Sequence, residues 1–387
     1  MLQTYFSGGI YYDYKIYCNQ RIFGLRQDHF HDSLCRQHQF QRAWQRSHTC
    51  QRPWAGNIVD AEFTATTDIK TLPISGNCIC YQHENLADKL HQLESAGADI
   101  IFSDIPGCGI GALDHVYLEL DDKENGQFTL MPFMCIVDPE RIKMIMSQGE
   151  DINLPEEMKF LLDAQMAEAD IIVLNKIDTI SDAEADNIIG FIKENYPAVP
   201  VMAISALKGT GVDNVVDYIL SSKAAAVHKE IGYGSDAFVA AESRLSWFNT
   251  RIFMEQREDK NIDFNDVIYD IFEEIRKGLI SKKSNVPHLK MFAADDAENM
   301  TDFFKASLIG VDYDVEYSRK LDKKYSALSL VINARAAADS QDMSDIVSDA
   351  LDSVSVKYNL KIKTFFMETF GMMEEGRGNT GRASRYE

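Results

Sequence analysis

From about residue 56 onward the apolar positions follow a regular plan. In "ENLADKLHQLESAG" Leu86, Leu90 and Leu93 fall on one helical face, and the pattern stops at Gly97. The short apolar run "ADIIFSDIPG" then ends in polar residues and glycine, so the spacing predicts a helix, a buried strand and a loop. The order recurs. "GQFTLMPFMCIVD" predicts a strand, "LPEEMKFLLDAQMAEA" a helix, "DIIVLNKID" a strand, and "SDAEADNIIGFIKEN" a helix with a Ser181–Glu184 capping box. "VPVMAISALKGTG" reads as a further strand and loop, and "VDNVVDYILSSK" as a last helix. Strands alternating with helices imply an α/β fold, a mostly parallel sheet with helices on both faces and its site at the C-terminal ends of the strands.

The segment 226–236 reads as a linker, after which the pattern changes. "AFVAAESRLSWFNTRIFM" looks strand-like, and the next helix aligns Phe264, Ile268, Ile271, Ile275 and Leu279. "DVEYSRKL" and "YSALSLVINARA" alternate as antiparallel strands do, with Leu328, Leu330 and Ile332 on one side. A final helix presents Met343, Ile346, Val347, Ala350 and Val354. This predicts a smaller α+β domain of ferredoxin-like arrangement over 237–370. The Met-rich "FFMETFGMM" reads as packing, and 371–387 as a disordered polar tail. The parallel-sheet unit is placed at 56–225, leaving 1–55 as an aberrant segment.

Composition sharpens that last division. The net charge of -21 disfavours nucleic acid as a partner. No apolar run reaches the roughly 18 residues of a membrane span, and the N-terminus lacks a signal-like order, so a cytoplasmic protein is expected. Seven cysteines without secretory context point to reduced thiols. Residues 1–55, however, hold seven Lys and Arg, three Asp and no Glu, against 32 basic and 57 acidic residues in the rest. They show neither helical nor strand periodicity and read as a loose arm.

Three motifs carry chemistry. Asn175-Lys176-Ile177-Asp178 ends the run "IIVL". One carboxylate there, Asp178, can accept from both the N1–H and the 2-amino group of guanine. Asn175 can bond the purine's other edge or tie loops together, and the Lys176 stem can lie on the ring. One strand later, "SALKGTG" offers the amides of Ser205, Ala206 and Leu207 to the guanine carbonyl. The DxxG stretch Asp104 to Gly107 follows a strand, where a carboxylate can reach Mg²⁺ through water and a glycine amide can approach a γ-phosphate. Cys78 and Cys80, two residues apart, can face one soft metal ion, with His83, Glu84, His91 or Cys108 as further ligands; a pair of half-buried thiols is the alternative.

In succession, "GNCICYQHENLADKL", "IIFSDIPG", "FMCIVDPERIKMI" and "QMAEADIIVLNKIDTI" resemble the CobW/HypB/UreG family of P-loop GTPases, the CobW-like branch in particular. The resemblance implies GTP and Mg²⁺ as ligands, and hydrolysis coupled to delivery of Zn²⁺, Co²⁺, Ni²⁺ or a corrinoid to a client metalloprotein or corrinoid protein. It also implies a nucleotide-dependent homodimer. Asp104 matches the Mg²⁺ and γ-phosphate side, and Asp60 the acidic position after the family's VNExG stretch. Asn175, Lys176 and Asp178 match the guanine motif, and Cys78 and Cys80 the first two cysteines of a CxCC metal motif, whose third place holds Tyr81.

The family's GxxxxGK[ST] loop is missing from the chain as written. Read one nucleotide out of register, however, Arg21 to His29 can encode GFSGSGKTT. In the same register Tyr12 to Gln20 can encode MIIKFIVIS, an apolar first strand, and Cys50 to Trp54 VNDxG. The expectation is a P-loop region disrupted in frame. With the frame restored the chain reads as a GTPase. As written it reads as a catalytically dead nucleotide- or metal-binding scaffold.

Overall fold

The computed structural model describes residues 14–21, 45–51, 59, 70–74, 82–105, 110–124, 127–146, 156–225, 229–258, 262–284, 286, 288–295 and 301–371. Gly107, Cys78, Cys80, Cys108, Asp60 and the polar tail lie outside them.

Eight strands form the first sheet: β1 Tyr14–Arg21, β2 Gln45–Gln51, β3 Lys70–Ile74, β4 Ala98–Ile105, β5 Phe128–Leu130, β6 Met134–Val137, β7 Ile171–Leu174 and β8 Val201–Ala203. Their order is β3-β2-β4-β1-β6-β7-β8, with β5 also on β1, and every pairing is parallel. The strand alternation of β4 shows why helices must cover both faces: Ile100 and Phe102 enter one buried cluster while Ile101 enters another. The first cluster is closed by α4 Glu156–Glu168, α5 Asp182–Asn195 and α6 Val212–Ser221, and the second by α1 His83–Ser95. Between them in the chain come a π-helical turn, Leu113–Leu118, running into the short α2 Glu119–Lys123, and α3 Pro139–Met146.

The loose arm expected before residue 56 is corrected in part. Its segments 14–21 and 45–51 are strands inside the sheet, and β1 sits between β4 and β6. Backbone pairing with two parallel neighbours imposes the extended conformation there, a force that side-chain periodicity does not report. The run "GQFTLMPFMCIVD" is likewise two strands, broken around Pro132, whose missing N–H cannot join a ladder.

Beyond α7, Asp236–Ser243, lies an antiparallel sheet domain. It runs β9 Ser246–Gln256, α8 Phe264–Ser281, β10 His288–Ala294, β11 Phe303–Leu308, β12 Glu316–Arg319, β13 Ala327–Ala336, α9 Ser340–Tyr358 and β14 Leu360–Gly371, in the order β12-β11-β10-β13-β9-β14. The split βαβ placing of β10, β13, β9 and β14 is ferredoxin-like, with the β11–β12 hairpin added at one edge. The five aligned apolar residues of α8 are all buried against this sheet, as are Leu328, Leu330 and Ile332 of β13. Each such side chain contributes about 1.5–3 kcal/mol. One expectation fails here: "AFVAAES", read as strand-like, is helical, and the strand begins only at Ser246. The stretch "FFMETFG" belongs to the long β14 paired along β9, with Met367 packed against the second core. The segment read as a linker is also docked: Lys229 Nζ donates to the carbonyls of Glu168 and Ala169, both at 2.8 Å, and Tyr233 packs on His115 and Phe238.

Among the described residues no helix is long and apolar enough to cross a membrane.

Candidate functional site

The site forms where β7 and β8 end. Each of these strands is short, and the chain leaves the sheet through a tight irregular turn. Lys176 adopts a left-handed backbone, φ 66°, and starts the 3₁₀ turn Ile177–Thr179. On the β8 side Ser205 pairs with Thr210 in an isolated bridge, which folds the "SALKGTG" loop back on itself. Gly209 and Gly211 both have positive φ, and at Gly211 a Cβ would lie 2.4 Å from the Ala203 carbonyl oxygen, so only glycine fits.

Asn175 binds the two loops together. It is 1 % exposed, and its Oδ1 accepts from Lys176 N at 2.7 Å and from Ala206 N at 3.0 Å. Its Nδ2 is buried and has no hydrogen-bond partner among the described residues. Of the two roles open to Asn175 in the sequence, the loop tie is made, by its Oδ1 alone. Asp178 accepts from the Ser205 hydroxyl at 2.6 Å, with Lys208 Nζ 3.8 Å away. The loop amides divide: Ser205 N is engaged by the Thr210 carbonyl and Ala206 N by Asn175, while Leu207 is half exposed. Of the three amides expected to meet a guanine carbonyl, the first two already have internal work. A small cavity of about 40 Å³ opens here, lined by Asn175, Lys176, Asp178, Thr179, Ala206, Leu207 and Glu316.

Sequence reasoning missed three residues in or behind this cavity. Asp138 follows β6 directly and is fully buried; its Oδ1 caps α3 by accepting from Arg141 N at 2.9 Å, with Pro139 at the first helical position. Its Oδ2 lies 3.3 Å from Lys176 Nζ. The Asp-Pro pair after an apolar run is a helix-start signal that could have found it. Glu316, at the start of β12, holds the same ammonium at 2.9 and 3.0 Å. Nothing in "DVEYSRKL" distinguishes that glutamate from a solvated strand residue. Arg141 is fully buried and donates to the Ile309 carbonyl. Burial draws its guanidinium below the usual range, an effect that Asp138 opposes.

Asp104 sits at backbone level between two strands of the N-terminal segment, in register with Asn19 of β1 and Cys50 of β2. It therefore reaches the same end of the sheet as β1's own C-terminal end. Of the extra ligands proposed for the cysteine pair, His91 is engaged at both ring nitrogens, by Glu94 at 3.0 Å and Glu124 at 2.9 Å, and His83 faces Glu119 at 3.4 Å. Among the described residues no group of three His, Cys, Asp or Glu is placed to hold a metal ion. Cys135, in the centre of β6, is wholly buried, and burial pushes its thiol far up, so it is a packing residue.

No curated protein matches the chain. Among solved structures, the Zn(II)-bound YjiA GTPase from E. coli aligns over 88 % of this chain and 99 % of its own, at 13 % identity and a TM-score of 0.33. HypB from Helicobacter pylori in complex with nickel covers 54 % of this chain and 86 % of its own, at 9 % identity and a TM-score of 0.36. The hydrogenase maturation factor HypB from Archaeoglobus fulgidus covers 54 % and 89 %, at 13 % and 0.35. Residues 56–203 match the family model described as CobW/HypB/UreG, nucleotide-binding domain, a stretch that holds β7, β8 and the DxxG sequence. Residues 56–203 are thus similar to the nucleotide-binding domain of the CobW/HypB/UreG family.

Proposed function

We propose that the chain is a CobW-like GTP-binding protein that couples GTP hydrolysis to delivery of a metal ion, zinc, cobalt or nickel, or of a corrinoid to a client protein. Guanine is taken by Asp178, which receives the N1–H and 2-amino group, and by the free amide donor of Asn175, suited to an acceptor on the purine's other edge. The Lys176 stem supports the ring, and the Leu207 amide reaches the carbonyl. Asp104 and Gly107 serve the Mg²⁺ and γ-phosphate side together with Asp60, and Cys78 and Cys80 hold or pass on the metal. The observation that carries the guanine assignment is the buried Asn175 Nδ2, without a hydrogen-bond partner among the described residues, on a residue that lines one cavity with Asp178. A buried donor left unmade costs about 1–3 kcal/mol, which a ligand acceptor recovers.

The phosphate side of this reading needs a P-loop, and we infer that residues 12–54 are a normal gene read out of register. The central place of β1 supports this. A parallel strand with neighbours on both sides and helices over both faces calls for a near-continuous apolar run. The written "YKIYCNQR" is not one, whereas the shifted register supplies it, followed at once by GFSGSGKTT. The second reading, a scaffold without catalysis, is favoured by the absence of GxxxxGK[ST] from the chain as written.

Thermal unfolding with GTP and Mg²⁺, GDP and Mg²⁺, and ATP and Mg²⁺ tests the reading. A rise with the guanine nucleotides alone supports the GTP-binding protein. No rise with any of them supports the scaffold. Resequencing the locus decides the frame: codons unable to yield GFSGSGKTT in the shifted register end that idea.

A further inference from the structure

The lysine of the guanine motif is held from the other domain. Lys176 is 7 % exposed, and its ammonium lies between Asp138, which belongs to the parallel-sheet unit, and Glu316, which belongs to β12 of the antiparallel sheet. The Glu316 contact is the closer, with both carboxylate oxygens within 3.0 Å. The chain leading to Glu316 is fastened at two earlier points. The Ile309 carbonyl accepts from the buried Arg141, three residues after Asp138. Tyr313 packs into the edge of the first core cluster, and its carbonyl accepts from Arg276 of α8 at 2.6 Å. The connection 309–316 therefore spans the two units and ends with a carboxylate at the wall of the base cavity.

A lysine stem supports a purine ring only if its far end is fixed, because a free side chain of this length loses up to about 2 kcal/mol of rotamer entropy on being ordered. Asp138 alone, at 3.3 Å and already committed to capping α3, offers one contact. We propose that Glu316 is a positioning residue for guanine binding: it anchors Lys176 from the C-terminal domain, so that the docking of that domain sets the affinity of the base site. The inference rests on the guanine reading given above. It makes the antiparallel domain part of the nucleotide site, and a client or metal that moves the 309–316 connection would alter nucleotide affinity through one ion pair.

The stem stacks on any purine, whereas Asp178 alone senses the 2-amino group that distinguishes guanine from hypoxanthine. Loss of the anchor should therefore weaken GDP and IDP equally and keep their ratio. The test uses the full-length chain in wild-type, Glu316→Ala, Glu316→Gln and Glu316→Asp forms. Equilibrium binding of GDP and IDP is measured alongside acylation of the Lys176 amine, followed by peptide mass spectrometry. In Glu316→Ala the expected results are roughly tenfold weaker binding of both nucleotides, the worth of one hydrogen-bonded charge, and faster Lys176 acylation. Glu316→Asp should recover part of each. Glu316→Gln, nearly the same shape without the charge, guards against a fold defect and should fall between. Unchanged or tighter binding in Glu316→Ala, or a collapsed GDP to IDP ratio, overturns the proposal while leaving guanine binding intact. A wild-type chain that binds neither nucleotide overturns the guanine reading itself, and this inference with it.

Discussion

Replacing Asn175 by alanine tests the loop tie directly. The side chain is 1 % exposed and its Oδ1 is the hydrogen-bond partner of two backbone amides, those of Lys176 and Ala206, on two different loops. Alanine removes the acceptor without supplying another, and the site is too enclosed for water to reach both amides freely. A buried donor left unsatisfied costs about 1–3 kcal/mol, so two in one place cost on the order of 2–4 kcal/mol, with some recovery as the loops part. Hydrogen exchange reads this locally, which suits a chain of two units better than a single melting transition. Since each 1.4 kcal/mol is about tenfold, protection of the Ala206 amide should fall by roughly 30-fold or more, while amides in α8 of the other domain keep theirs. Asn175→Asp, which keeps an acceptor oxygen in place, should retain most of the protection. Equal exchange at Ala206 in wild type and Asn175→Ala would refute the tie.

Asp178→Asn should exchange an acceptor for a donor toward the purine 2-position, so GDP binding falls by about tenfold or more and binding of the xanthine nucleotide rises; a competition assay with the two nucleotides checks this. Gly211→Ala places a Cβ 2.4 Å from the Ala203 carbonyl oxygen at φ 73°, and should destabilise the parallel-sheet unit by more than about 1 kcal/mol in urea unfolding. Leu161, fully buried in the first cluster, should cost about 2–5 kcal/mol as alanine in the same assay. His91 joins α1 to the end of α2, and its pKa is raised, chiefly by the Glu94 hydrogen bond, with burial opposing and Glu124 adding. A raised folded-state value means that the stabilisation is fully present below the ordinary value of about 6.5 and is lost as pH climbs through the higher folded value. The stability difference between wild type and His91→Gln should therefore be larger at pH 6 than at pH 9; a difference independent of pH would show that the ring acts by packing alone.

The sequence was most legible where a local rule governs. The Ser181 capping box is formed in full, with Ser181 Oγ accepting from Glu184 N and the Glu184 carboxylate accepting from Ser181 N. The stripe of α8 is buried as its spacing requires, and Gly97 ends α1 with φ 87°. Legibility failed where long-range contact decides. Glu316 and Lys176 are 140 residues apart, and no pattern around either names the other. The π-helical turn Leu113–Leu118 follows another such partner: Glu168, at the end of α4, accepts from the amides of Gly111 and Leu113. Whether "AFVAAES" extends or coils is likewise settled by packing of α7 on α4 and not by its own propensity.

The place of β1 has a consequence for how the molecule is made. Synthesised first among the strands, it pairs Lys15 with Ile100 and Asn19 with Met134, so it cannot be fixed until more than a hundred further residues have emerged. Closing such long parallel loops is slow, and an unpaired strand waits exposed meanwhile. An apolar strand would be held during that wait by collapse onto the growing core; the polar text "YKIYCNQR" has little to hold it. The chain as written should thus depend on chaperones more than its finished contacts suggest, with β4 and β6, on either side of the gap, as the surfaces most open to the wrong partner.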